Sequence, residues 1–307
     1  MLDRSLERLE AAPDERRALR LLHELEDVLT PTEFAALGAH LERPELRALH
    51  AGLSSARAIA AGTPQSYGRR VIADNVLHFS DDRLPAADKT LVVAFAGRMQ
   101  RLMIPNVAFL QCLPASRYDV VIVSDPARQH FRRGLPGYAD GFLALVGALG
   151  RDVPHGDYRR SVSFGASMGG LPAVWYGIMA DTERTICIGA RRAWDIDRLL
   201  SGDAPPHAYE PLCACCGGGR RNIVFVHAAG HAADSEAARN HAGLVGGQVL
   251  AIPGLASHNP LADLWHSGAA GPMLDRLFRA KVFQASWKVH RATEAAQPER
   301  GSRSKLR

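Results

Sequence analysis

Residues 160–176 read Arg160-Ser161-Val162-Ser163-Phe164-Gly165-Ala166-Ser167-Met168-Gly169-Gly170-Leu171-Pro172-Ala173-Val174-Trp175-Tyr176. The apolar start predicts a short buried strand, the glycine-framed serine a sharp bend, and the remainder the first turns of a helix. A serine on so tight a strand-to-helix turn is forced into a strained backbone region. Gly165 and Gly169 leave the room that lets neighbouring segments pass closely. The hydroxyl of Ser167 then stands above the sheet, and the backbone N–H of Met168, at the start of the helix, faces any oxyanion formed beside it. Chance alone supplies a G-x-S-x-G pentapeptide in about one chain of this length in ten. Its weight therefore depends on an earlier strand that brings a second N–H donor, and on an acid and a histidine that follow later strands in that order.

Working outward, the segment upstream to about residue 67 and the segment downstream to about residue 280 alternate strands with helices. Val71–Phe79 predicts a strand or hairpin arm, and Thr90–Gly97 a continuous apolar strand of the buried parallel type. A helix over Val107–Leu113, a strand over Asp119–Val123 and a helix over Gly141–Leu149 lead to the strand before Ser167. After it come a helix to about Ala180, the strand Thr185–Ile188, an irregular stretch over Ser201–Gly219, the strand Asn222–Val226, a helix through Ala237, the strand Gln248–Ile252 and a helix from Pro260. This alternation predicts an α/β protein with a doubly wound, mainly parallel sheet, whose site lies at the carboxyl ends of the strands.

Residues 1–62 are a small helical segment. Leu2, Leu6 and Leu9 share one face, Leu19, Leu22, Leu25 and Leu29 form the next stripe, and Thr30-Pro31-Thr32-Glu33 is a capping box with proline at the first helical position. Packing is its expected role, against the sheet domain, another copy or a protein partner. The predicted divisions are thus 1–62, 67–280, and a basic disordered tail over 288–307.

The chain has 307 residues, is 47% hydrophobic and carries a formal charge of +5. From Lys288 onward six Lys/Arg stand against two Glu, so +4 of that charge belongs to the tail and the body is close to neutral. A nucleic-acid surface needs a basic stripe on a folded element, and none is predicted. No apolar run is long enough to span a bilayer, and no basic stretch followed by an apolar one opens the chain; a cytoplasmic protein is expected. The five cysteines have no disulfide spacing. Cys213, Cys215 and Cys216, with His207 nearby, lack the second matching pair that a zinc site requires, so neither metal nor cofactor is expected. Cys112 and Cys187 read as core.

With this pattern in place, the chain resembles the α/β-hydrolase superfamily over roughly residues 67–280. The resemblance implies a serine hydrolase acting on an ester, thioester or amide, with Ser167 on an elbow after the fifth strand. The loop Pro253-Gly254-Leu255-Ala256-Ser257-His258-Asn259 would deliver His258 as the base. Asp234, in the loop after the penultimate strand, would be the acid, unless it only caps the following helix and Asp195 or Asp197 takes its place. The second oxyanion donor is the N–H of Gly97 or Arg98; the chain lacks the His-Gly-Gly run of the lipase pattern. Arg98, Arg101, Arg128, Arg132, Arg133, Arg191 and Arg192 fall in loops that converge on one rim, which points to a small acyl substrate with carboxylate or phosphate groups, with Arg101, Arg128 and Arg191 as candidate contacts. The stretches Gly134–Asp140 and Ser201–Gly219 are the segments available to lie over the pocket. Acyl transfer with the same residues, and a non-catalytic scaffold on this fold, are the alternative functions.

Overall fold

The computed structural model describes residues 2–192 and 222–279. Asp195, Asp197, His207, Cys213, Cys215, Cys216, the stretch Ser201–Gly219 and the tail from Lys288 lie outside the described residues.

Five short helices come first: α1 (Leu2–Glu10), α2 (Glu15–Glu26), α3 (Pro31–His40), α4 (Pro44–Gly52) and α5 (Ser54–Ala60). Helices of this length are marginal alone, so packing must hold them. Leu9, Leu22, Leu29, Phe34 and Leu37 are all completely buried in one cluster, each contributing roughly 1.5–3 kcal/mol by leaving water. The predicted capping box forms as read: Thr30 accepts from the Glu33 N–H, and the Glu33 carboxylate accepts from the Thr30 N–H at 2.9 Å. Val107, from the sheet domain, completes the same cluster.

The eight-stranded sheet comprises β1 (Gly68–Ala73), β2 (Val76–Ser80), β3 (Thr90–Phe95), β4 (Tyr118–Val123), β5 (Arg160–Ala166), β6 (Arg184–Ile188), β7 (Ile223–Ala228) and β8 (Gln248–Ile252). Its order is β1-β2-β4-β3-β5-β6-β7-β8. The strand β2 pairs antiparallel with both β1 and β4, and every other pairing is parallel. Parallel strands need crossovers, which α6 (Asn106–Gln111), α7 (Phe142–Asp152), α8 (Gly170–Met179) and α9 (Ala232–Val245) supply; α10 (Pro260–His266) and α11 (Ala270–Arg279) follow β8.

Both faces are covered, which is why β3 and β4 are apolar almost throughout. Val92, Ala94, Val120, Ile122 and Phe164 pack with Phe109 of α6 and Phe278 of α11. On the other face, Leu91, Val93, Phe95 and Val121 meet Leu145 of α7 and Tyr176 of α8. The stretch Gly134–Asp140, one of the two segments available to lie over the pocket, folds as a two-residue ladder pairing Gly134–Leu135 with Ala139–Asp140. The apolar demand of Leu135 anchors it, since that side chain is buried with Phe131 and Leu145 on the α7 face. No described helix is long and apolar enough to cross a membrane.

Candidate active site

The turn between β5 and α8 carries Ser167 at φ 51°, a left-handed conformation that costs a residue with a side chain about 1–3 kcal/mol. The flanking glycines show what holds it there. A Cβ at Gly165 would collide with the Gly169 carbonyl oxygen, and one at Gly169 with the Phe95 carbonyl oxygen at the end of β3. The strand end, the bend and the helix start are therefore packed backbone against backbone. One further support was invisible in the sequence: buried His130 points Nδ1 at the Met168 carbonyl oxygen, 3.0 Å away, and so donates to it. Burial, with a smaller effect from Arg191 and Arg132, pushes the His130 ring below its ordinary pKa, consistent with a neutral ring there.

Two loops at the same end of the sheet bring the other side chains. The Oγ of Ser167 lies 3.1 Å from Nε2 of His258, and Nδ1 of His258 lies 2.9 and 3.0 Å from the two carboxylate oxygens of Asp234. A carboxylate facing Nδ1 requires the proton on that nitrogen and leaves Nε2 to accept from the serine hydroxyl. The Asp234 side chain is 6% exposed and that of His258 43%. Asp234 is not the cap of α9. His231 holds that position, its Nδ1 accepting from the Asp234 N–H at 3.3 Å, which frees the Asp234 carboxylate to turn toward His258. Asn259 fixes the histidine loop, since its Nδ2 donates to the Met103 carbonyl at 3.0 Å while its Oδ1 caps α10. Gly189, at φ 58° after β6, lies beside both groups: a Cβ there would stand 2.8 Å from Met103 Cε, 3.1 Å from the His258 carbonyl oxygen and 3.4 Å from Asp234 Oδ2.

A parallel sheet in this strand order thus places a serine elbow after its fifth strand, a carboxylate after the seventh and a histidine after the eighth. The fold is the α/β-hydrolase fold.

Within this fold, the turn after β3 distinguishes the two candidate donors. The Gly97 N–H already donates to the Arg101 carbonyl at 2.8 Å, so it is not available to an oxyanion, whereas the Arg98 N–H has no acceptor among the described residues. The turn lies close to the elbow: a Cβ at Gly97 would stand 3.6 Å from the Ser167 Cβ. The arginines divide similarly. Arg98, Arg128 and Arg191 are exposed. Arg101 is a correction to the sequence reading, because its Nε is 2.8 Å from Asp27 and its Nη2 donates to the His23 carbonyl at 2.7 Å, committing it to the N-terminal helices. Arg192 pairs with Glu236 at 2.8 Å.

His231, Asp234 and His258 are also the residue types that ligate metal, with donor atoms within 4.8 Å of one another. Those atoms already face one another, His258 Nδ1 at 2.9 Å and His231 Nδ1 at 3.2 Å from Asp234 Oδ2, with His231 Nδ1 also 3.3 Å from the Asp234 N–H.

No protein-family model and no curated protein sequence matches the chain. Among solved structures it is similar to an esterase from the bacterial hormone-sensitive lipase family, at 12% identity and TM-score 0.47 over 91% of this chain and 98% of that one. It is also similar to enterochelin esterase from Shigella flexneri (16%, TM-score 0.43, 70% of this chain and 61% of that one). A third is the Pyrococcus horikoshii acylaminoacyl peptidase (13%, TM-score 0.44, 73% and 43%). The chain therefore spans less than two thirds of the length of the Shigella and Pyrococcus proteins.

Proposed function

We propose that this protein is a serine hydrolase that cleaves an ester, thioester or amide through an acyl-enzyme on Ser167. The observation that carries the reading is the continuous hydrogen-bonded line from Ser167 Oγ through His258 to the buried Asp234. In this reading Nε2 of His258 takes the hydroxyl proton as Oγ attacks the acyl carbon, and Asp234 stabilises the imidazolium that results. The N–H groups of Met168 and Arg98 receive the negative charge that develops on the carbonyl oxygen. Nε2 then returns its proton to the leaving group, and water, activated by the same nitrogen, releases the acid. The exposed Arg98, Arg128 and Arg191 favour a small acyl substrate bearing a carboxylate or phosphate. Hydrolysis is favoured over acyl transfer because the His258 side chain is 43% exposed, leaving the base open to water.

A fluorophosphonate probe tests the reading. The wild-type protein is expected to gain one adduct, mapped by mass spectrometry to Ser167, and Ser167→Ala is expected to gain none and to lose about 10⁶-fold in ester turnover. Labelling that persists in Ser167→Ala would overturn it.

A further inference from the structure

The turn that carries the Arg98 N–H is strapped on two sides. Its five residues close on themselves through the Gly97 N–H to Arg101 carbonyl bond at 2.8 Å and the Gln100 N–H to Gly97 carbonyl bond at 2.9 Å, with Gln100 in the left-handed region at φ 61°. Gln100 Nε2 reaches sideways to the Asp125 carbonyl at 2.9 Å. Arg101 reaches the other way, to the C-terminal end of α2. There its guanidinium meets the Asp27 carboxylate at 2.8 Å, the His23 carbonyl at 2.7 Å and, more distantly, Glu26 at 3.8 Å. A cation against the last carbonyls of a helix is favoured by the helix dipole as well as by the carboxylate. Asp27 is itself fixed, its carbonyl accepting from Asn106 Nδ2 at 3.0 Å. The Arg101 and Asp27 side chains are only 25% and 23% exposed, so the pair is shielded and its geometry matters more than that of a surface contact.

We propose that Asp27 and Arg101 are positioning residues that hold the Arg98 N–H toward the serine, making the N-terminal helices a working part of the site rather than an appended domain. This rests on the proposed oxyanion role of Arg98. The carbonyl that closes the turn and the guanidinium that grips α2 belong to one residue, so a slack side chain loosens the ring of hydrogen bonds that orients the donor.

The experiment compares Asp27→Ala and Arg101→Ala with Asp27→Asn, which keeps an acceptor for Arg101 Nε. Arg69→Ala is the control: it removes a separate tie of the same segment, to the Val28 carbonyl at 2.6 Å and Glu33 at 3.0 Å, without touching the turn. Two readouts are taken on the full chain. Hydrogen exchange of the peptide covering residues 97–101 is expected to quicken tenfold or more in Asp27→Ala and Arg101→Ala and to stay at wild-type rates in Asp27→Asn and Arg69→Ala. With p-nitrophenyl acetate, kcat is expected to fall about tenfold or more in the first two with KM within about twofold, short of the 10²–10³ expected for outright loss of a donor. Unchanged exchange in Asp27→Ala overturns the proposal whether or not the protein hydrolyses the ester. So does an Arg69→Ala variant that loses as much kcat as Arg101→Ala. A wild-type protein inert to both ester and fluorophosphonate sinks the hydrolase reading instead, and the exchange comparison still decides whether the pair holds the turn.

Discussion

Asp234 sits at the third position of α9, where an aspartate is ordinarily occupied with the helix end. His231 takes over that duty, and the carboxylate turns to His258 at 2.9 Å, with His231 Nδ1 also 3.2 Å from its Oδ2. Under the proposed mechanism, Asp234→Asn presents an amide where Nδ1–H needs a carboxylate, so the wrong tautomer is favoured. Ester turnover is expected to fall about 10⁴-fold, while the melting temperature changes little because the cap is elsewhere. Near-normal turnover in that variant would remove Asp234 from the mechanism. Legibility at this scale follows from how local the constraint is. Gly165, Ser167 and Gly169 could be read because their collisions involve immediate neighbours and the end of one adjacent strand. Whether Gly97 or Arg98 donates could not be read, since it turns on a carbonyl four residues further along the chain. Arg101 was misread because its partner, Asp27, lies 74 positions away.

Among the elements, the buried parallel strands announce themselves by continuous apolar runs, and α3 by its capping box; the two-residue ladder at Gly134–Asp140 has too few residues to show any period. Several elements also bury histidines neutral, which spacing does not reveal. In α9, His241 stacks on Phe225 of β7 at 5.4 Å and donates from Nε2 to the Arg191 carbonyl at 2.6 Å, and burial pushes it down to about 4. Burial, with Arg70 second, likewise pushes His78 of β2 down to about 4. A histidine whose folded pKa lies below its unfolded value contributes stability that is present above about 6.5 and lost as the pH falls toward the folded value. Asp27 works in the opposite direction, because burial raises it to about 6 and its share of stability fades as the pH rises from about 4 through 6. Among the described residues, burial lowers five histidines, His50, His130 and His155 as well as His78 and His241, against two aspartates it raises, Asp27 and Asp119. The melting temperature is therefore expected to drop between pH 7 and pH 5, and His241→Gln, which can still donate to the Arg191 carbonyl, should show a shallower drop. A variant curve parallel to wild type over that range would show that His241 does not set the slope.

Across the whole molecule, the three groups on which the proposed chemistry depends are not equally secured. Ser167 extends from β5, which is paired on one side with β3 and on the other with β6. His258 hangs from the end of β8, which among the described residues is paired with β7 alone and presents Gln248, Val249 and Ala251 to solvent. Strands of this kind open locally at far lower free energy than the centre of a sheet. Mild denaturation should then disarm the protein before it unfolds. Ester turnover is expected to fade at a urea concentration below the far-UV circular dichroism midpoint, with amide exchange along β8 quickening over the same range; coincident curves would show that the edge melts only with the whole. Ser167 is seated on a strand paired on both sides and His258 at the end of one paired on a single side, so under the proposed mechanism the working lifetime of such a protein is set by a few hydrogen bonds at its margin and not by the depth of its core.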